Sequence, residues 1–223
     1  MIHHEINSRN STSSLSDEVY RALCADIADG VFKQGERLGI ERIAKLKGVS
    51  HMPVREALQR MSCDGLAEKT LNCGFRVKRL SNEDGKEIWA IRIALETLAM
   101  RWLMSQKISK KMIRELRENC EIYRTNTLIS ELYRLDIAFH NIIINYCGAK
   151  QVRDILSRRM ILLNSFYLSN SIVEIPMLDS IERCYREHLD IIECIESGDA
   201  DRAEKAMSSH LEFAFTTCIN ADR

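Results

Sequence analysis

The stretch that decides the fold spans residues 48–66 and reads GVSHMPVREALQRMSCDGL. Ser50 can cap the amino end of a helix, and Pro53 is tolerated in the first turn of that helix. Apolar side chains then recur at helical spacing, at Val54, Leu58 and Met61. Gly65 follows as a stop, so these residues predict a short amphipathic helix.

A second short helix precedes this stretch, and a change of period follows it. The segment 40–47 has helical spacing and ends at a glycine, and two short helices joined by such a turn are typical of a helix-turn-helix. The segments 66–70 and 75–78 then change to strand-like alternation around the turn-like residues 71–74, which predicts a small hairpin, the wing. An earlier helix, predicted over 16–29, completes the domain.

The rest of the chain divides into an arm and a helical domain. Residues 1–14 are rich in Ser and Asn without periodicity, which predicts a flexible arm. Ser81 and Asp84 resemble a capping box, so we place the domains at 15–80 and 81–223. The second domain shows only helical signals and predicts an all-α antiparallel bundle, so the fold class is mainly α. Its first helix is expected to bury an apolar stripe of Ile88, Ile91, Leu95, Leu98 and Trp102.

The formal net charge of the 223 residues is zero, but the charge is unevenly distributed. Residues 1–30 carry −3, residues 31–80 carry +6, and residues 81–223 carry −3. A local basic excess over the predicted helix-turn-helix and wing indicates a DNA-contacting surface.

Composition also restricts where the protein works. The apolar runs are too short for a membrane span and the first residues lack the apolar core of a secretion signal. The eight cysteines form no Cys-x-x-Cys pair, and we interpret them as reduced thiols of a cytoplasmic protein, mostly small core residues. A redox-sensing role for one of them is the alternative.

The segment 19–79 resembles the winged helix-turn-helix of the GntR family of bacterial regulators. The matching residues are Gly35-Glu36-Arg37-Leu38, Gly48-Val49-Ser50, Pro53-Val54-Arg55-Glu56-Ala57-Leu58, Gly65-Leu66 and Gly74-Phe75-Arg76-Val77. The resemblance implies a transcriptional regulator, and because one short helix supplies few contacts we expect a homodimer on a palindromic double-stranded operator.

The DNA-binding residues follow from the geometry of this motif, in which the first turns of the recognition helix face the major groove. The residues assigned to DNA are Arg37, Ser50, His51, Met52, Arg55, Arg60, Gly74 and Arg76. Arg55 is expected to bind a guanine or a phosphate, whereas Arg60 lies further along the helix, towards the rim. The family commonly has Arg then Thr at positions 51 and 52, so we expect an operator that differs from the usual half-site. Lys45 and Lys47 are interpreted as solvated side chains.

The C-terminal half resembles the FCD subgroup, named after the fatty-acid-responsive regulator. The matching motifs are Asp136-Ile-Ala-Phe-His140, Glu187-His188-Leu-Asp-Ile-Ile, Gly198-Asp199 and Ser209-His210-Leu211. The resemblance implies a divalent metal site made by Asp136, His140, His188 and His210. The spacing is compatible with it, because Asp136 and His140 share one helix face and a hairpin at Gly198 would bring the other two histidines level.

Three imidazoles and one carboxylate suit zinc best, with nickel, cobalt or manganese as alternatives. The subgroup further implies a small carboxylate effector, which would occupy a remaining coordination position. Arg92 matches a subgroup arginine that could face such a carboxylate, or it could be a surface arginine paired with Glu96.

We therefore expect a ligand-responsive repressor that is not an enzyme. Two alternatives remain: the same regulator with a purely structural metal, and a metal-dependent hydrolase fused to a DNA-binding domain.

Overall fold

The computed structural model describes residues 14–70, 74–169 and 178–220 and is mainly helical, with one small sheet. The predicted arm lies outside the described residues except for Ser14, as do positions 71–73 of the predicted wing turn. In chain order the elements are α1 (Leu15–Ala28), β1 (Arg37–Leu38), α2 (Ile40–Lys47), α3 (His51–Cys63), β2 (Ala67–Thr70), β3 (Gly74–Val77), α4 (Asn82–Met104), α5 (Lys110–Thr125), α6 (Ile129–Tyr146), α7 (Lys150–Ser169), α8 (Leu178–Ser197) and α9 (Ala200–Asn220).

The chain forms two compact units, and the division differs from a single cut near residue 80. The first unit comprises residues 1–86 together with 157–171, and the second comprises 87–156 and 172–223. The carboxyl-terminal part of α7 therefore belongs to the first unit. The sequence pattern did not predict that the chain comes back to this unit. Within the described residues no helix is long and apolar enough to cross a membrane.

Capping explains where the helices of the first unit begin. Ser14 and Asp17 form a reciprocal capping box, which starts α1 one residue earlier than predicted. The helix α2 has the predicted bounds and ends at Gly48, whose φ of +65° is the left-handed conformation that favours glycine. Ser50 precedes α3 with extended backbone but makes no side-chain capping hydrogen bond, so that part of the prediction was wrong.

The sheet has three strands in the order β1-β3-β2, with both pairs antiparallel. The predicted wing hairpin is confirmed as β2 and β3, within one residue of the predicted bounds at each end. The strand β1 was not predicted, because two residues are too few to show alternation. It places Arg37 directly opposite Arg76.

A single apolar core fills the first unit. Side chains from α1, α2, α3 and the sheet meet there, and Leu162 of α7 joins them at 1% exposure. Lys47 enters the same interior, with its Nζ 2.8 Å from Asp26 Oδ2 and both side chains buried. The interpretation of Lys47 as a solvated side chain was therefore wrong: it forms a buried ion pair between α2 and α1.

The second unit begins near the predicted capping box at Ser81 and Asp84, which the structure confirms through two reciprocal hydrogen bonds of 2.9 and 3.1 Å. The prediction for the buried face of α4 was only partly right. Of the predicted stripe, Ile88 is 6% exposed and Leu95 and Leu98 are half-buried, but Ile91 and Trp102 are 40% and 42% exposed. The buried face is rotated away from Ile91 and Trp102 and includes the charged pair Arg92 and Glu96.

The helices α8 and α9 form a hairpin that turns at Gly198. Its φ of +76° is a left-handed conformation, and the Gly198 and Asp199 amides donate to the last carbonyls of α8. The Asp199 side chain accepts a hydrogen bond from the Arg202 amide at 3.0 Å and so starts α9. The hairpin sets the register between the two helices, on which the candidate site depends.

Candidate functional site

Four side chains from three helices of the second unit converge on one point. Asp136 and His140 project from α6, His188 from α8 and His210 from α9. One ligating atom from each lies within 4.8 Å of every other, and the three imidazoles are between 0 and 3% exposed. The structure thus brings together all four residues that the sequence assigned to a metal.

The distances fit a metal ion. His210 Nε2 lies 3.2 Å from His140 Nε2 and 3.3 Å from His188 Nε2, and Asp136 Oδ1 lies 3.4–3.8 Å from the three nitrogens. Ligand atoms about 2.1 Å from a common centre are about 3.0 Å apart at a right angle and about 3.4 Å apart at a tetrahedral angle. The observed spacing is therefore that of a coordination shell.

Two carboxylates behind the cluster orient its rings. His140 Nδ1 lies 2.7 Å from Glu96 Oε2, and His210 Nδ1 lies 2.9 Å from Glu187 Oε2. If each Nδ1–H faces its carboxylate, each Nε2 presents a lone pair to the centre of the cluster. Sequence reasoning did not assign Glu96 or Glu187 to the site, although both lie inside the motifs that it used.

The pKa values of the cluster depend on which groups face each side chain. Burial raises the pKa of Asp136, but hydrogen bonds with the three imidazoles hold it well below its usual range. Burial lowers the pKa of His188 to about 4. Burial also lowers the pKa of His210, yet its two carboxylate partners outweigh this and raise it to about 9. Burial thus dominates the pKa of His188, and the carboxylates dominate that of His210.

Arg92 lies beside the cluster rather than on the surface. It pairs with Glu96 at 2.6 Å, as one of the two interpretations held, but it is only 2% exposed. Its Nη2 is 3.9 Å from Asp136 Oδ2 and has no hydrogen-bond partner among the described residues. The guanidinium therefore keeps hydrogen-bonding capacity next to the proposed metal ligands.

Two further groups border the cluster, and neither was assigned to it from the sequence. The Phe139 ring stacks on His188 with centroids 3.8 Å apart. Cys184, one turn before His188 on α8, places Sγ 3.7 Å from Asp136 Oδ1 and 3.8 Å from His188 Nε2. Its spacing to His188 could have suggested a shared face, but a single cysteine is more often a core residue.

A cleft of about 760 Å³ borders the cluster on the surface of the second unit. Two acidic side chains, Glu187 and Asp190, line it together with His210 and four basic side chains, namely Arg183, Arg186, Arg202 and Lys205. Its volume is in the range of small-molecule sites.

The recognition helix α3 presents a polar, accessible face in the first unit. Ser50, His51, Met52 and Arg55 are all exposed, and Met52 reaches 63%. Within the described part of the chain no ion pair engages Arg55. Arg60 differs, because its Nη1 lies 2.7 Å from Asp17 Oδ1 and its guanidinium covers the Tyr20 ring at 4.1 Å. The contacts of Arg60 are thus with α1.

The wing supplies a second accessible basic surface. Arg37 and Arg76 are exposed and directly opposite each other on neighbouring strands, although like charges in that position repel. Arg76 Nη1 also donates to the Gly35 carbonyl at 3.1 Å, so one end of its guanidinium is held by the protein. Gly74 begins β3 with a φ of +81° and is exposed. A phosphate between the two arginines would relieve their repulsion.

Comparisons with known proteins agree for both parts of the chain. Residues 15–77 match the model of the gntR family of bacterial regulatory proteins, and residues 87–213 match that of the FCD domain. The uncharacterised HTH-type transcriptional regulator YdhC of Bacillus subtilis is 27% identical over 86% of each chain. The HTH-type transcriptional repressor RspR of Escherichia coli is 26% identical over 91% of this chain and 88% of its own.

A solved structure shares the fold. The E. coli protein McbR/YncC superposes with a TM-score of 0.83 over 95% of this chain and 100% of its own, at 18% identity.

Proposed function

Because the chain belongs to the GntR family of bacterial regulatory proteins and carries an FCD domain, we propose that it is a homodimeric repressor controlled by a divalent metal and a small carboxylate effector. Its relatives are HTH-type transcriptional regulators, some of them named repressors. In this proposal the first unit binds the operator and the second binds the metal and the effector, whose binding alters operator affinity.

The observation that carries the metal proposal is the convergence of lone pairs. With Nδ1 of His140 and of His210 facing carboxylates, two Nε2 atoms 3.2 Å apart and the Asp136 oxygen all present acceptors to one point. Acceptors that face each other in a buried site repel unless a cation lies between them. A bound divalent ion would supply that charge, and the ligand set favours zinc, with cobalt, nickel or manganese as alternatives.

An anionic effector is supported by the groups around the cluster. Arg92 Nη2 is buried without a hydrogen-bond partner among the described residues, beside Asp136. A carboxylate is the group that a guanidinium binds best, and one oriented by the metal ligands would satisfy Arg92. The basic lining of the neighbouring cleft would attract the same class of molecule.

Dimer formation is supported by two exposed apolar side chains of α4, Ile91 and Trp102. Ile91 and Trp102 are eleven residues apart, about three helical turns, and therefore lie on one face. A second copy of the chain would bury this apolar face and would also supply the second recognition helix that a palindromic operator requires.

DNA binding is assigned to residues that the structure leaves accessible. Arg55 would contact bases or phosphates from α3, and His51 and Met52 would read the positions beside it. Arg37, Gly74 and Arg76 would contact the backbone from the wing. Arg60 was assigned to DNA from the sequence, but its pairing with Asp17 supports a structural role instead.

The test combines metal content with effector-dependent operator binding. The operator is a duplex selected from a random pool by the wild-type protein, and the effector probes are a panel of small carboxylates. His188→Ala should lose the metal and the carboxylate response, whereas His51→Ala should keep the metal and bind the duplex more weakly. Salt is held constant, because DNA affinity depends strongly on it.

The outcomes separate the proposal from a purely structural metal, the second candidate, which the burial of the three imidazoles favours. A wild type that carries metal but shows no response to any carboxylate supports the structural role. A wild type without metal, or a His188→Ala variant that retains it, contradicts the metal site and leaves the DNA-binding function.

A further inference from the structure

Cys184 occupies the position on α8 that Asp136 occupies on α6. Each lies four residues before a histidine of the cluster, so each helix presents two adjacent side chains to the same point. The Cys184 sulfur approaches the ligating atoms themselves, at 3.7 Å from Asp136 Oδ1 and 3.8 Å from His188 Nε2.

These two distances are those expected of a shared coordination shell. Zinc–sulfur bonds are about 2.3 Å and zinc–nitrogen bonds about 2.1 Å, which places sulfur and nitrogen about 3.1 Å apart at 90° and about 3.8 Å apart at 120°, the angles of a five-coordinate site. The two observed distances match the larger separation. They also match a hydrogen bond from the thiol to Asp136, so the test has to detect the metal–sulfur bond itself.

We infer that Cys184 is a fifth protein ligand of the metal bound by Asp136, His140, His188 and His210. The inference rests on the metal site proposed above. On binding, the thiol proton leaves to solvent and the sulfur bonds to the metal as thiolate, so no oxidant or reductant is required. A thiolate ligand would shift the preference of the site towards zinc and cobalt and away from manganese.

Cobalt(II) tests the inference, because its spectrum reports binding and sulfur ligation separately. Ligand-field bands in the visible show that cobalt is bound at the cluster, whereas a sulfur-to-cobalt charge-transfer band in the near ultraviolet requires a thiolate ligand. The reduced full-length protein receives one equivalent of cobalt under nitrogen. We expect both bands in the wild type and loss of only the charge-transfer band in Cys184→Ser.

Cys194→Ser is the matched control. Cys194 lies on the same helix at 1% exposure, so its replacement disturbs α8 comparably without touching the cluster, and both bands should persist. Competition with a chelator should show that Cys184→Ser binds cobalt at least roughly tenfold more weakly, the smallest loss typical of removing an outer partner of a metal site.

The result distinguishes failure of the inference from failure of the metal site. Ligand-field bands without a charge-transfer band in the wild type overturn the fifth ligand and leave the four-residue site intact. A charge-transfer band that persists in Cys184→Ser also overturns it, since the sulfur then comes from another cysteine. Absence of both bands in the wild type overturns the metal site and the fifth ligand together. A wild type without the charge-transfer band overturns the inference without any variant, and Cys184→Ala serves as a second variant if Cys184→Ser does not fold.

Discussion

Glu96 orients a histidine and an arginine with one buried carboxylate. Its Oε1 lies 2.6 Å from Arg92 Nε, and its Oε2 lies 2.7 Å from His140 Nδ1. Burial raises the pKa of Glu96, but the two neighbours outweigh it and lower the pKa to about 2. Glu96 thus stays charged, and the orientation of His140 depends on it.

We expect Glu96→Gln to weaken zinc binding by roughly 10- to 100-fold, because an amide cannot match the carboxylate as an acceptor for the ring. Chelator competition measures the change. Glu204→Gln is the control, since Glu204 pairs with Arg101 at the surface and has no contact with the cluster. Equal zinc affinity in Glu96→Gln and wild type would show that His140 is held by other contacts.

Arg55 and Arg60 belong to the same helix but should differ in their roles. Arg55→Ala should weaken binding to the selected duplex by about 1–3 kcal/mol, because the side chain is exposed and unpaired in the described structure. Arg60→Ala should lower thermal stability more than operator affinity, since it loses Asp17 and the Tyr20 ring. Gel-shift titration and thermal melting of both variants measure these effects. A larger affinity loss in Arg60→Ala would reverse the assignment.

The four residues of the cluster could be predicted one by one, whereas their supports could not. Asp136 and His140 share a face by helical spacing alone, and Gly198 sets the level of the other two histidines. Contacts between α4 and α6 place Glu96 behind His140, and no local spacing encodes such a contact. Cys184 shares a face of α8 with His188, but its approach to Asp136 of α6 depends on packing between helices.

At the scale of elements, α2 is attached to α1 by a buried charge pair. The Lys47 and Asp26 side chains are 1% and 0% exposed, in an otherwise apolar core. Taking two charges out of water is costly, and their attraction recovers that cost only while both are present. The pair therefore fixes how α2 packs while adding little net stability.

Removing one partner should be much worse than removing both. Lys47→Met should destabilise the first unit by roughly 3–5 kcal/mol, because it leaves Asp26 buried and unbalanced, whereas Lys47→Met with Asp26→Leu should be close to neutral. Denaturant unfolding followed by far-ultraviolet circular dichroism gives the free energies. A double variant as unstable as the single one would show that packing, and not charge, dominates there.

The helix α4 shows where pattern-based prediction fails at this scale. Its apolar residues have helical spacing, but the buried face carries Arg92 and Glu96 while Ile91 and Trp102 face outward. Hydrophobic periodicity assumes that charged residues are solvated, and a buried ion pair next to a ligand site reverses that assumption.

At the scale of the whole molecule, the proposed metal would join three helices of the second unit. Its ligands come from α6, α8 and α9, and a ligand that binds only the folded state stabilises that state. The contribution is about 2.7 kcal/mol when free metal is a hundredfold above its dissociation constant.

Chelation should therefore lower the melting temperature of the zinc-loaded protein by roughly 5–10 °C, given about 2–4 °C per kcal/mol for a chain of this size. Calorimetry with and without chelator measures the shift. His188→Ala should melt at the same temperature in both conditions. A chelator-induced shift in that variant would place the stabilising metal elsewhere.

At this scale the fold class could be predicted from the sequence, because helices and hairpins are formed by residues that are close together in the chain. The glycines at 48 and 198 and the capping box at Ser81 mark ends that the structure confirms. The division of α7 between the two units could not be predicted from the sequence, because it depends on contacts between residues more than a hundred positions apart. One such contact is the hydrogen bond from Gln34 Nε2 to the Leu162 carbonyl at 3.2 Å.

The contribution of α7 to the first unit limits which segments such proteins can exchange. Leu162 is buried in the core of the DNA-binding unit, and Arg158 pairs with Asp64 of the same unit at 2.8 Å. A recombination event that exchanged everything after residue 80 would replace both side chains, and losing a buried leucine alone costs about 2–5 kcal/mol. Exchange of the second unit between proteins is therefore constrained by a few residues of α7, which would have to stay with the first unit that they pack against.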